Sequence, residues 1–421
     1  MARCLLIVVL GMSLAACGDS RLPEYELSGN AMGTTFNITL IDPAEDVADE
    51  ALQSRIAESL ERIDKLASTW KSDSQLSLLN AERTTEWVAV SNELCVALES
   101  ALEIGRLSEG AFDITVAPAV NAWHFGPNKS TNFEPPTDSD LSKLRERVGF
   151  RLIEVRIDPP AIRKSNPEVS IDLSAIAKGY AVDQVAATLS DQGFSNFMVE
   201  VGGEVCARGE RAQGGKWRIG IESPKELVRE YDKIAELSGQ AMATSGDYRI
   251  FRVHNGKRYS HTIDPTTCAP VEHSLATACV VAPDCLTADA FATAVSVLGA
   301  EKGAELCQQQ SLELFTLTRH SGLEPDLEEA VSIGFPFLER RKSGRELNQP
   351  KQAGQSIWPA FIGAMIVFSL AILGMAVGAI FGNKPVQGSC GGLSSMTKED
   401  GESSCTVCAR PTSDCVETKN D

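Results

Sequence analysis

An α+β fold is the prediction of this sequence, and three observations carry it. Two long segments place apolar residues at helical spacing, several short runs alternate apolar with polar, and no strict βαβ repetition links them. From Ala44 to Leu66 the apolar positions Val47, Leu52, Ile56, Leu60 and Ile63 predict a helix, and Ser91 to Leu107 repeats the pattern. Alternating runs at Val155–Ile157, Phe197–Val201, Trp217–Ile221, Ile250–Val253 and Thr277–Val281 predict strands. Asn128 to Asp140, rich in Pro, Asn and Thr, reads as a surface loop.

Both ends of the chain differ from this body. One positive charge at Arg3 precedes a short apolar run, and Leu14-Ala15-Ala16-Cys17 has the form of a bacterial lipobox. Residues 1–16 therefore read as a signal peptide, Cys17 as a lipidated N-terminus and residues 17–30 as a polar tether. An ordinary signal peptide that contains Cys17 by chance is the alternative. At the other end, residues 339–356 are charged and polar and suit a linker. Ile357 to Phe381 then gives 25 residues without a charged side chain. Such a helix is about 37 Å long, enough to cross about 30 Å of hydrocarbon. A buried core helix is the bland alternative. Arg340, Arg341, Lys342, Arg345 and Lys351 precede this span and only Lys384 closely follows it, against the positive-inside rule. The export signal outweighs that bias. The expected protein is anchored at a bacterial inner membrane, its body in the periplasm and the tail 382–421 in the cytoplasm.

Composition narrows the classes further. With 43% hydrophobic and 23% charged residues the body is globular, and a net charge of −18 disfavours a nucleic-acid binder, because nothing offsets phosphate repulsion. Cys95, Cys206, Cys268, Cys279, Cys285 and Cys307 show no CxxC spacing and read either as buried small apolar residues or as pairs in an oxidising compartment.

The motif with most chemistry runs from Asp172 to Asp183. An alternating segment (Val169, Ile171, Leu173) leads into a helical pattern, with Asp172 and Lys178 near the corner where backbone amides can meet phosphate. Further on, Asp289 and Thr293 share one helix face at i and i+4. Two such oxygens, with a carbonyl from a nearby corner, suit Mg²⁺ shared with substrate phosphates. Taken alone, Asp172 and Lys178 would read as a surface ion pair, and Asp289 with Thr293 as an ordinary helix face.

These segments do not stand alone. Met32-Gly33-Thr34-Thr35-Phe36, the Ser68–Ser74 segment, Gly110-Ala111-Phe112-Asp113-Ile114-Thr115, Val201-Gly202-Gly203-Glu204, Ser245-Gly246-Asp247-Tyr248 and Ser260-His261-Thr262-Ile263-Asp264-Pro265 accompany them. Together they resemble the FAD:protein FMN transferases, the ApbE family, over residues 30 to 335. The resemblance implies a two-lobed catalytic domain over residues 31–338, with FAD as substrate in the cleft. It implies Mg²⁺ on Asp289, Thr293 and the Ala175 carbonyl, Lys178 on the diphosphate and Asp172 on a polar group of the flavin nucleotide. It places Ala111, Phe112 and Asp113 against FAD, with Met32, Trp70 and Ile263 covering its rings, although by type these three would be core residues. His261 is the expected general base, a structural histidine being the alternative, while Glu204 and Asp247 have no defined role. Cys268 stands where the family usually has glycine, which puts local backbone geometry in doubt. The implied reaction moves FMN from FAD to a Ser or Thr hydroxyl of a target flavoprotein and releases AMP. Water in place of the hydroxyl would make an FAD pyrophosphatase, and binding without cleavage an electron carrier.

The tail carries a second resemblance. Ser389-Cys390-Gly391-Gly392-Leu393, with the preceding span and with Cys405, Cys408 and Cys415 after it, is similar to NqrM, a maturation factor of the Na⁺-translocating NADH:quinone reductase. That reductase is therefore an expected partner. The four thiols suit a metal, and their spacing fits iron handling better than a zinc ribbon.

Overall fold

Eight strands pair side by side in the same order in which they occur along the chain. They are β1 Glu24–Ala31, β2 Thr34–Ile41, β3 Phe197–Val201, β4 Glu204–Arg208, β5 Gln240–Gly246, β6 Leu275–Ala282, β7 Glu313–Arg319 and β8 Leu327–Val331. Each is antiparallel to its neighbour, so the sheet is a meander and every other element is an insertion between adjacent strands. The computed structural model describes residues 22–42, 50–127, 133–224, 231–248, 250–319 and 327–338.

The longest insertion joins β2 to β3 and holds six helices. These are α1 Glu50–Ala67, α2 Gln75–Ala81, α3 Asn92–Leu107, α4 Ala117–Ala122, α5 Asp138–Arg145 and α6 Ala177–Asp191. Two more, α7 Cys285–Leu298 and α8 Ala300–Gln309, fill the step from β6 to β7. A hairpin (Trp217–Glu222 with Tyr231–Leu237) links β4 to β5, and another (Phe251–His254 with Lys257–Ser260) lies between β5 and β6.

Both faces of the sheet are covered. All eight residues of β6 are buried: Ala278 and Val280 join Phe291 and Val295 of α7 on one side, while Cys279 and Val281 join Trp217 and Leu237 of the first hairpin on the other. A strand wedged this way reads as an unbroken apolar run. On the helical side α1 (Ile56, Leu60, Ile63) and α6 (Val182, Val185, Leu189) close on Phe197 and Val199. A smaller core gathers Trp123, Ile263 and Cys268 beneath the second hairpin.

The structure corrects several expectations. Glu24–Ala31 is not tether but a full strand, paired from Glu24↔Ile41 to Ala31↔Thr34 with Leu27 buried. Its polar residues face outward, and that alternation was masked by Pro23 and the charges. The expected loop ends earlier, because Thr137 and Asp140 form a capping box that starts α5. The alternating segment Val169-Ile171-Leu173 is buried but pairs with no strand. The Asn80 side chain takes both backbone groups of Ile171, donating to its carbonyl (2.8 Å) and accepting from its N–H (2.7 Å). All six body cysteines are free and buried.

Cys17 and the signal, the linker, the span 357–381 and Cys390, Cys405, Cys408 and Cys415 lie outside the described residues. Among the described residues no helix is long and apolar enough to cross a membrane.

Candidate active site

Two tight turns on neighbouring strands form one wall of the site. Met32 and Gly33 close the β1–β2 hairpin with φ of 51° and 75°, the doubly left-handed turn that matches strand twist. Methionine is an uncommon residue there, and its side chain packs against both main cores. Gly202 and Gly203 (φ 64° and 107°) close β3 onto β4, and the Gly202 N–H donates to the Thr35 carbonyl at 3.0 Å. A Cβ on Gly202 would stand 2.9 Å from Thr34 Cγ2 and 3.0 Å from Lys178 Cδ. The Lys178 stem therefore runs across this glycine.

The opposite wall is the crossing of α6 and α7, which only a glycine permits. A Cβ on Gly179 would meet the Cys285 carbonyl oxygen at 2.4 Å and Asp289 Cβ at 2.9 Å. Asp183, one turn further along α6, accepts from the Cys285 and Leu286 N–H groups, both at 2.8 Å, while Asp284 caps α7 by accepting from Thr287 N–H at 2.8 Å. Burial raises Asp183 to about 6, against the pull of those two amides. Two carboxylates thus fix the start of α7, and with it the position of Asp289.

Two buried carboxyl groups, Glu204 and Asp289, and the half-buried Lys178 meet between these walls. Lys178 Nζ is 2.6 Å from Glu204 Oε1 and 3.7 Å from Asp289 Oδ1, and Asp289 Oδ2 accepts from Gly179 N–H at 3.0 Å. Glu204 Oε2 has no hydrogen-bond partner. Burial would lower the lysine, but Asp289 and Glu204 outweigh it and hold the ammonium above its ordinary value. Burial also raises both carboxyls, against the attraction of Lys178. Two acidic groups face one ammonium, and Asp289 Oδ1 meets that ammonium only at 3.7 Å. That arrangement fits a divalent cation. Thr293 is half-buried one turn beyond Asp289, and Ala175 lies in the turn whose Leu173 carbonyl receives Ile176 and Ala177 N–H. Among the described residues no three His, Cys, Asp or Glu gather as a metal site.

Other expected residues hold different places. Asp172 makes no ion pair with Lys178; its carboxylate accepts from the N–H and hydroxyl of Ser174 and shapes the turn before α6. Asp113 is buried and accepts from Thr115 N–H (2.7 Å), Thr115 Oγ1 (2.6 Å) and Phe150 N–H (2.7 Å), so its oxygens brace the loop. Ala111 and Phe112 are buried beside it, and Ile263 belongs to the smaller core. Trp70 is 60% exposed on a loop braced by Ser68 and Ser74, with most of its indole open to solvent.

His261 follows the second hairpin. Its Nδ1 is 3.1 Å from the Ile250 carbonyl, which only accepts, so Nδ1 carries the proton and Nε2 keeps its lone pair. Burial lowers its pKa below the usual 6.5, opposed by the Ile250 bond and the Asp247 charge. The ring is thus a neutral acceptor at pH 7. Asp247 itself is held by Arg319 at 2.7 Å. Cys268 does adopt left-handed backbone (φ 56°), buried, with its carbonyl accepting from Trp123 Nε1 at 2.8 Å.

Comparison with known proteins accounts for this arrangement. The sequence profile of the ApbE family matches residues 32–316, more than half the chain. The chain belongs to the ApbE family. An FAD:protein FMN transferase of Vibrio cholerae is 36% identical over 336 residues, covering 80% of this chain and 99% of that protein. The Escherichia coli K12 FAD:protein FMN transferase is 33% identical over 296 residues, or 70% and 84% of the two chains. The solved flavin transferase ApbE from Vibrio cholerae superposes with a TM-score of 0.68 at 38% identity, over 75% of this chain and 100% of that one. The apo flavinyl transferase ApbE of Pseudomonas stutzeri gives 0.66 at 30%, over 74% and 96%. Residues 379–421 match the profile of (Na⁺)-NQR maturation NqrM.

Glu204, Gly179 and Asp183 are brought to the charge cluster by the fold, and sequence reasoning gave them no role. The Gly202-Gly203-Glu204 turn was the available signal for the first. The other two lie within the Asp172–Asp183 motif, but their contacts depend on the helix crossing.

Proposed function

We propose that the chain transfers FMN from FAD to a Ser or Thr hydroxyl of a target flavoprotein and releases AMP. The observation that carries this reading is the buried Lys178–Glu204–Asp289 cluster in a chain of the ApbE family, whose relatives bear that activity in their names. The Lys178 ammonium is poised to meet a diphosphate, and Asp289, Thr293 and the Ala175 carbonyl would hold Mg²⁺. Bound there, the metal supplies charge neutralisation at the phosphates. Neutral His261, with its Nε2 lone pair free, takes the proton from the acceptor hydroxyl. The hydroxyl oxygen bonds to the FMN phosphorus, the phosphoanhydride bond breaks, and AMP leaves with the electron pair. Trp70 and Met32 would cover the flat rings of the substrate.

The remaining parts of the reading concern the ends of the chain. We place the body in the periplasm, anchored through Cys17, with a span over residues 357–381 and a cytoplasmic tail. The match of residues 379–421 to NqrM supports a link to the Na⁺-translocating NADH:quinone reductase, whose subunits we take as the acceptors, and iron handling by the tail cysteines is our reading of that link. The test is incubation of the protein with FAD, Mg²⁺ and an acceptor flavoprotein. Flavin fluorescence on the acceptor in a denaturing gel is expected. AMP without labelled protein points to a pyrophosphatase, and neither product to a carrier.

A further inference from the structure

Glu204 is almost fully buried, opens β4 directly after the Gly202-Gly203 turn, and is the nearer of the two carboxylates on Lys178. Lys178 Nζ lies 2.6 Å from Glu204 but 3.7 Å from Asp289. The stem is guided to that end, because it crosses Gly202 where a Cβ would stand 3.0 Å from Lys178 Cδ. Asp289 has one oxygen on the Gly179 amide at 3.0 Å, so Oδ1 alone is left, facing the ammonium at a distance too long for a hydrogen bond. We propose that Glu204 is a positioning residue that draws the Lys178 ammonium away from Asp289 and so keeps Asp289 Oδ1 open for a divalent cation.

The inference rests on the metal site of the proposed function but not on transfer itself. Without the Glu204 charge, the ammonium has only Asp289 as a buried counter-charge. The two would close into a direct pair, and a cation would have to displace Lys178 before binding. The role is therefore indirect: Glu204 needs no contact with the metal, and its whole effect passes through Lys178.

That path can be isolated with Mn²⁺ as the probe, followed by electron paramagnetic resonance in the absence of FAD. Glu204→Gln keeps the shape and removes the charge, and thermal unfolding confirms its fold. The expected result is a loss in Mn²⁺ affinity of about 10- to 100-fold, the range for residues that support a metal ligand. In a Lys178→Gln background, where no ammonium can close on Asp289, Glu204→Gln should change Mn²⁺ affinity less than about twofold. Glu204→Asp should restore part of the loss. Unchanged affinity in the single variant overturns the inference. An equal loss in both backgrounds also overturns it, because the carboxylate would then act on the cation directly. If Mn²⁺ binds neither wild type nor variant, both the metal site and this inference fail. If Mn²⁺ behaves as expected but no acceptor is labelled, only the transfer reading fails.

Discussion

The Lys178–Glu204–Asp289 cluster and the His261 hairpin are built in opposite ways. The cluster stands on the central sheet and on a helix crossing with no spare volume, between α6 and α7. His261 follows a two-stranded hairpin over a small satellite core, with Ile250 54% and Val253 59% exposed nearby. Two-stranded pieces of this kind are weakly stabilised on their own. The difference teaches that the charge cluster is tied to global stability, while the histidine proposed to remove the proton stands on a peripheral insertion. A change at the helix crossing that carries the cluster should disturb fold and function together, and a change at the His261 hairpin should spare the fold.

The sharpest way to break the comparison is Gly179→Ala. The new methyl would lie 2.4 Å from the Cys285 carbonyl oxygen, so α6 and α7 must separate. Loss of FAD binding and a stability loss of about 2 kcal/mol or more are expected, read by flavin titration and thermal unfolding. Next comes Asp289→Ala, which removes the anionic ligand. Transfer should vanish at limiting Mg²⁺ with the fold retained, and near-normal activity there would refute the assignment.

For His261→Ala, turnover should fall by about 10²-fold or more with FAD affinity and melting temperature unchanged. Lost FAD affinity at normal turnover would make it a binding residue. The histidine also sets a pH dependence. Its folded pKa is depressed, so the neutral base persists at pH 6.5, and turnover should decline only below that. The same shift makes His261 contribute stability above its ordinary pKa, lost as pH falls toward the lower folded value. His261→Ala should flatten both profiles. The smallest effect is expected from Asp183→Ala, about 1–2 kcal/mol of stability from two lost bonds at the start of α7.

These outcomes bear on what the sequence alone could reveal. Lys178, Asp289 and His261 could be singled out as candidates because each sits in a short local motif. The strands at Phe197–Val201 and in β6 were legible from their apolar pattern. Glu204 was named without a role, since its partner Lys178 comes from a different element and only the Gly202-Gly203 turn brings them together. Asp172 is close to Lys178 in sequence, yet its carboxylate accepts from Ser174 in the turn before α6 and makes no pair with Lys178, a contact that sequence distance did not reveal. Val169–Leu173 alternated like a strand, yet Asn80 satisfies the backbone a strand would have paired. The sheet order was hidden because its longest insertion, between β2 and β3, holds six helices.

The central claim is that one buried charge cluster and one neutral histidine together move FMN onto a protein hydroxyl. Its most direct test is mass spectrometry of an acceptor peptide after reaction with FAD and Mg²⁺, with AMP measured in parallel. The account predicts one FMN on a Ser or Thr for each AMP released, and neither product with Asp289→Ala. AMP accompanied only by free FMN, or labelling that survives Asp289→Ala at limiting Mg²⁺, would contradict it.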